Sequence, residues 1–222
     1  MISAVITAAG NGTRFGQNKL WSKLNARPVI EQTINQFIKI KNIDEIIVVI
    51  KPGDASKYQS LVKNDVRIKL VEGGQERIIS LFNGVTAVRG EVTIAHDGAR
   101  PLVSVSLIKK LIKSGLKYQA VMTALKPAAT VKLVKNNQVQ SSLLREETWL
   151  AQTPQIFSKK LLLRALSQAI KERFFLPTDD SEIVARFTGI KVRVIAGEET
   201  NIKITRPIDL ILANQLIKEG KA

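Results

Sequence analysis

Short apolar runs rich in β-branched residues alternate along this chain with longer stretches of helical periodicity, and that alternation constrains the fold more than any other feature. Ile2–Ala8 is an apolar run broken only by the small Ser3 and by Thr7, as suits a strand covered on both faces. Residues 28–40 (PVIEQTINQFIKI) place Val29, Ile30, Ile34, Phe37 and Ile38 at helical spacing, with Pro28 suited to the first turn. Glu45–Ile50 (EIIVVI) reads as a second buried strand stopped by Pro52-Gly53. The rhythm continues with a helix at 55–62, a strand at 67–71, a helix at 76–88, a strand at 91–96, a helix at 105–114 and a strand at 120–125. It resumes later with an extended segment at 149–157, helices at 159–171 and 179–187, a strand at 191–196 and a closing helix at 207–218. Thr178 is the expected N-cap of the helix at 179–187. Strands separated by helices imply a doubly wound α/β fold, a mostly parallel sheet with helices on both faces.

Residues 127–148 break the rhythm. The β-prone runs 130–134 and 139–143 flank Lys135-Asn136-Asn137-Gln138, a turn, and predict a β-arm projecting from the sheet. An isolated two-stranded arm is marginal in water, so it is expected to pack on a second subunit of a homodimer. The 222 residues otherwise fit one domain spanning 1–222, with the arm as its appendage.

Composition narrows the chemistry. The chain has no cysteine, which excludes a disulfide framework, a thiolate nucleophile and a Cys-ligated zinc site. Its one histidine, His96, rules out a multi-histidine metal site and reads as a structural hydrogen-bonder rather than a general base. The formal charge of +15 is spread along the chain, and the aromatic residues, 5% of the total, do not interleave with the basic ones. No base-stacking platform is visible, so nucleic acid is not an expected partner. No apolar run reaches the ~20 residues of a membrane span, and Met1–Ala9 lacks a basic leader, so the expected location is cytoplasmic.

The groups that could carry chemistry cluster in short motifs. Ala8-Ala9-Gly10-Asn11-Gly12-Thr13-Arg14-Phe15-Gly16 follows the first strand, with Lys19 three residues on. Glycines there let the backbone approach a ligand, and Arg14 and Lys19 add positive charge for a polyanion. The spacing matches neither a P-loop nor a dinucleotide fingerprint. Gly73-Gly74-Gln75-Glu76-Arg77, with Ser80 one helical turn on, could hold a flat ligand against backbone groups. His96-Asp97-Gly98-Ala99-Arg100-Pro101 ends the fourth main strand, where the crevice of an open α/β sheet lies. Later come Arg145 with Trp149, Thr153-Pro154-Gln155, Thr178-Asp179-Asp180 and Asn201-Ile202-Lys203-Ile204-Thr205. That last run is expected to be an apolar strand carrying Lys203 on its polar side, which favours an anion at the ammonium.

Taken together, AAGNGTRFG with Lys19, GGQER with Ser80, HDGARP, Arg145 with TWLAQTPQIF, TDD and GEETNIKITRPIDL resemble the 2-C-methyl-D-erythritol 4-phosphate cytidylyltransferases of the non-mevalonate isoprenoid pathway. The resemblance implies a nucleotide-diphospho-sugar transferase-like fold and transfer of CMP from CTP to a polyol phosphate, with Mg²⁺ and release of pyrophosphate. It implies that Ala9, Gly10, Gly12, Arg14 and Lys19 hold the triphosphate, that Gly74, Gln75 and Ser80 read the cytosine, and that Asp97, Gly98 and Arg100 meet the ribose region. Thr130, Arg145, Thr153 and Lys203 would meet the sugar phosphate, the arm residues coming from a partner subunit. The resemblance implies Arg14, Lys19 and Lys203 as the catalytic cations and no side chain as a metal ligand. The chain departs from the family with Ala129 before Thr130, where an aspartate is usual, and with Gln75, where an acid often sits. A cytidylyltransferase for another polyol phosphate, such as ribitol 5-phosphate, and a non-catalytic nucleotide-binding module are the alternative readings.

Overall fold

A computed structural model describes residues 1–10, 15, 18–63, 65–175 and 179–221. From the amino end, β1 (Ile2–Thr7) leads to a 3₁₀ turn at Lys19–Trp21, a small hairpin of β2 (Lys23–Leu24) and β3 (Arg27–Pro28), and α1 (Val29–Ile38). Then follow β4 (Glu45–Ile50), α2 (Ala55–Val62), β5 (Ile68–Glu72), α3 (Arg77–Ala87), β6 (Val92–Asp97), α4 (Val105–Gly115) and β7 (Ala120–Leu125). The arm is β8 (Lys132–Lys135) and β9 (Gln138–Ser142). After it come β10 (Leu150–Ser158), α5 (Lys159–Lys171), α6 (Asp180–Thr188), β11 (Arg193–Ala196) and α7 (Pro207–Lys218).

Seven strands form the main sheet in the order β11-β7-β10-β6-β1-β4-β5. The chain winds outward from β1 through β4 to β5, then crosses back to place β6 on the other side of β1. The carboxyl ends of β1 and β6 therefore flank the switch point, where loops diverge and leave a crevice. Pairing is parallel except at β10, which runs antiparallel to both β6 and β7. The cause is the arm. No helix crosses over between β7 and β10, so the chain returns along the sheet in the opposite direction.

Alternate residues of each central strand enter different cores. On one face Ala4 and Ile6 of β1, Ile46 and Val48 of β4 and Ile94 of β6 pack with Ile30, Ile34 and Phe37 of α1 and Leu107, Ile108 and Leu111 of α4. On the other, Val5, Ile47, Val49 and Ala95 pack with Ile78, Leu81 and Val85 of α3, Leu162, Ala165 and Leu166 of α5 and Ile183 and Val184 of α6. Gly84 lets α3 lie close to the sheet, since a Cβ there would meet Val5 and Val49 methyls at 2.6 Å.

Three local expectations need correction. The hairpin β2–β3 is absent from the sequence reading; Asn25 and Ala26 turn it with φ of 47° and 67°, and Pro28 ends β3 as the N-cap of α1 rather than lying in its first turn. Asp179 is the N-cap of α6, its carboxylate accepting from the Glu182 amide at 2.9 Å, while Thr178 lies outside the described residues. Residues 201–205 are an irregular extended loop, not a strand.

The arm turns as its sequence requires. Val134 pairs with Val139 and Lys135 with Gln138, so Asn136-Asn137 is a two-residue turn, and both asparagines have positive φ, 50° and 60°. Asparagine tolerates that conformation, which matches the twist of a hairpin. Every residue of β8 and β9 is exposed, Leu133, Val134 and Val139 among them.

Candidate functional site

Above the β1/β6 switch point, one cleft is bordered by Thr7, Ala9 and Gly10 after β1, by Lys19 and Leu20, by Gly74, Gln75, Glu76, Arg77 and Ser80 entering α3, by Asp97, Gly98 and Ala99 after β6, and by Lys203. Segments far apart in sequence meet here because their strands adjoin. Gly73 lets the turn before α3 lie close against the end of β1: a Cβ on it would come within 2.6 Å of the Ala9 Cβ and 2.7 Å of Ser80 Oγ. The Ser80 hydroxyl accepts from the Gly74 amide at 3.1 Å and sits 3.2 Å from the carbonyls of Gly74 and Glu76, so it pins the Gly74 turn.

Lys19 opens the 3₁₀ turn whose Leu20 is buried, and Asn18 Oδ1 accepts from the Leu20 amide at 3.3 Å. Lys203 is held from both sides. The Ile204 amide donates to the Ala99 carbonyl at 2.8 Å and its side chain enters the core. Asn201, fully buried, donates to the Thr153 carbonyl at 2.8 Å, while its own carbonyl accepts from Arg100 Nη1 at 2.8 Å. Beyond the lysine, Asp209 Oδ2 accepts from the amides of Thr205 and Arg206 at 2.8 Å each and caps α7. These anchors fix the backbone on which the long lysine stem is mounted, so the ammonium stays within reach of the cleft.

Asp97 is the electrostatic centre. Its carboxylate lies 2.8 Å from Lys203 Nζ, 3.4 Å from Arg77 Nη2 and 3.6 Å from Arg100 Nε. Burial pushes its pKa up, but these three cations outweigh burial and hold it below the ordinary carboxylate range. Behind it runs a chain of hydrogen bonds. The Asp97 amide donates to Thr153 Oγ1 at 3.0 Å, Thr153 lies 3.1 Å from His96 Nδ1, and His96 Nε2 is 3.2 Å from the Arg100 carbonyl. A carbonyl only accepts, so Nε2 carries the proton and Nδ1 takes the Thr153 hydroxyl hydrogen. His96 is 1% exposed, and burial pushes its pKa down to about 3. It is a neutral structural group.

Of the sequence-derived candidates, Ala9, Gly10, Lys19, Gly74, Gln75, Ser80, Asp97, Gly98 and Lys203 border the cleft. Gly12 and Arg14 lie outside the described residues. Arg100 and Thr153 are buried behind Asp97 and bonded to protein groups, so they set the position of the carboxylate and of the Lys203 loop instead of lining the cleft. Thr130 and Arg145 sit at the base of the arm, around a separate hollow with Pro127, Val131, Leu143 and Thr148. The sequence reading quotes Arg77 in its glycine motif but gives it no role. Arg77 meets Asp180 with both terminal nitrogens as well as Asp97, and the available signal was an arginine at the first position of a helix, where the dipole disfavours a cation.

Among the described residues no three His, Cys, Asp or Glu side chains converge on a point that could cage a metal ion. No helix among them is long and apolar enough to cross a membrane.

The family model for 2-C-methyl-D-erythritol 4-phosphate cytidylyltransferase (IspD) matches residues 2–219. The enzyme of that name from Caldanaerobacter subterraneus subsp. tengcongensis is 37% identical over 227 residues, covering 98% of this chain and 99% of its own. The one from Geobacillus kaustophilus is 35% identical over 226 residues, covering 99% and 98%. Among solved structures, 4-diphosphocytidyl-2C-methyl-D-erythritol synthase from Anaerococcus prevotii superposes with a TM-score of 0.88 at 36% identity, covering 98% of each chain. The 2-C-methyl-D-erythritol 4-phosphate cytidylyltransferase from Thermus thermophilus gives a TM-score of 0.80 at 28% identity, covering 96% of this chain and 98% of that one.

Proposed function

Because the chain belongs to the 2-C-methyl-D-erythritol 4-phosphate cytidylyltransferase (IspD) family, we propose that it transfers CMP from CTP to 2-C-methyl-D-erythritol 4-phosphate in the cytoplasm, releasing pyrophosphate for isoprenoid precursor synthesis. The observation that carries this reading is that Lys203, near the carboxyl end, and Lys19, near the amino end, border one cleft with two glycine-bearing turns.

A phosphate oxygen of the acceptor attacks the α-phosphorus of CTP, a new P–O bond forms, and the bond to the β-phosphate oxygen breaks as pyrophosphate leaves. A phosphate monoester is already a nucleophile at neutral pH, so the protein's task is positioning and charge. Lys19 serves the triphosphate and the backbone at Ala9 and Gly10 borders it; Gly12 and Arg14, outside the described residues, join this set by the family resemblance alone. Gly74 and Gln75 face the base, with Ser80 holding their turn. Asp97 and Gly98 serve the ribose region. Lys203 draws the acceptor phosphate into line, and Arg100 and Thr153 support it from behind. His96, neutral and bonded at both ring nitrogens, takes no part in proton transfer.

The cleft suits Mg²⁺ that arrives on the triphosphate, because Mg²⁺ is commonly held by substrate phosphates rather than a dedicated protein cage. The ion would neutralise charge on the leaving pyrophosphate, and no side chain of this chain is assigned to it. Thr130 and Arg145, which line a hollow separate from the cleft of their own chain, would face that of a second copy, with the exposed Leu133, Val134 and Val139 of the arm as the dimer contact.

The test is pyrophosphate release from CTP and Mg²⁺ with 2-C-methyl-D-erythritol 4-phosphate, ribitol 5-phosphate, or no acceptor. Release with the first acceptor alone is expected. Preference for ribitol 5-phosphate would overturn the substrate, and CTP binding without release for any acceptor would overturn the activity.

A further inference from the structure

Arg77 breaks a local rule. It occupies the first position of α3, where the exposed amides already carry positive partial charge, so a guanidinium there is unfavourable unless something compensates it. The compensation is specific. Two of its nitrogens reach Asp180, a fully buried carboxylate at the first position of α6, and Nη2 also lies 3.4 Å from Asp97 Oδ1 on the cleft. Lys203 lies on the other oxygen of the same carboxylate, 2.8 Å from Oδ2. Arg100 Nε stands 3.6 Å from Oδ2, buried and without a hydrogen-bond partner of its own.

This arrangement divides the cations around Asp97 into two kinds. Arg77 and Arg100 are tied elsewhere in the protein, Arg77 to Asp180 and Arg100 to the Asn201 carbonyl, and cannot follow a substrate. Lys203, as exposed as Arg77 but ion-paired among the described residues to Asp97 alone and carried on a flexible stem, can. If the lysine were the sole counter-charge of Asp97, its departure toward a phosphate would strand a buried carboxylate, which opposes the move. With two stationary arginines in place the carboxylate stays compensated, and the open donor at Arg100 Nε can take up Oδ2.

We propose that Arg77 is a positioning residue for the transfer: by holding Asp97 Oδ1 from a fixed base on Asp180, it lets Lys203 exchange from Oδ2 to the phosphate of the incoming acceptor. Arg77 touches neither reacting atom and acts through the lysine. The inference rests on the cytidylyltransferase reading and deepens it.

The experiment is a double-mutant cycle on kcat with CTP, Mg²⁺ and 2-C-methyl-D-erythritol 4-phosphate. Replacing Arg77→Gln together with Asp180→Asn leaves an amide pair and no orphaned charge. This pair of changes is expected to lower kcat roughly 10–100-fold, short of full loss of a transition-state cation, with KM for CTP moved less than threefold. In a Lys203→Gln background the same pair of changes is expected to lower kcat no further, since its effect passes through the lysine. Additive losses, or a pair variant within twofold of wild type, would overturn the proposal. Should the pair variant not fold, Arg77→Lys enters the same cycle, with a threefold or greater loss that vanishes in the Lys203→Gln background expected and additivity again fatal. Failure of the underlying activity is a separate outcome, seen as no pyrophosphate from the wild-type protein.

Discussion

Acidification below pH 7 should destabilise this protein through one buried side chain. His96 is the chain's one histidine, and in the fold burial outweighs the attraction of Asp97 and pushes its pKa down to about 3 from 6.5. Between those values the unfolded chain takes up a proton that the folded one refuses, so stability falls with falling pH, approaching ~1.4 kcal/mol per pH unit. From pH 7 to pH 5 the loss works out at about 2 kcal/mol, and it continues until the folded imidazole itself protonates near pH 3. Asp97 also loses its stabilising contribution on acidification, but only below the ordinary aspartate range, so the window from pH 7 to 5 belongs to the histidine. Urea unfolding followed by the fluorescence of Trp21 and Trp149, at fixed salt and protein concentration, measures the slope. The Cε1 proton resonance of the native protein should meanwhile keep its neutral shift down to pH 4. His96→Asn should lower stability at pH 7, through loss of the bond to the Arg100 carbonyl, and flatten the dependence. A wild-type change under ~0.5 kcal/mol, or a native imidazole titrating near pH 6, would refute the assignment of a buried neutral ring.

Lys19→Ala and Lys203→Ala should each lower kcat on the order of 10²–10³-fold with unfolding midpoints near wild type, as loss of a transition-state cation does; near-normal turnover of either removes it from the site. Gly73→Ala should cost about 1–3 kcal/mol in urea unfolding and raise KM for CTP, because the new methyl would meet Ala9 and Ser80 at under 3 Å. Leu133→Asp with Val139→Asp, both exposed on the arm, should shift sedimentation toward monomer and lower kcat/KM for the acceptor. Chelation with EDTA should stop pyrophosphate release, and excess Mg²⁺ should restore it.

Much of the framework was legible because it depends on local pattern. Glu45–Ile50 and Ala120–Leu125 fall where their apolar runs lie, and the paired asparagines of the arm mark a turn their backbone preference requires. The direction of β10 was not read, although the missing crossover helix before it was a visible signal. The lysine at 203 was found from its apolar neighbours, yet those neighbours anchor a loop instead of a strand: Ile204 bonds Ala99, and Asn201 bonds Thr153, contacts that no spacing rule encodes. Arg77 and Asp180 are 103 residues apart. Their pairing exists because α3 and α6 share one face of the sheet, and each alone reads as an ordinary charged residue at a helix start. Thr153 and Arg100 are buried next to Asp97 and bonded to protein groups, an orientation their motifs could not show, since a motif gives proximity and not which way a hydroxyl turns.

The loop carrying Lys203 follows β11, which pairs with β7 at the edge of the sheet, and is tied to the cleft through the Asn201 contacts. A nascent chain emerging from the ribosome therefore exposes its glycine turns and Asp97 long before the ammonium that completes the pocket has been translated. A chain cut short upstream of that loop would keep the glycine turns and Asp97 but lack the Lys203 ammonium that borders the cleft with them.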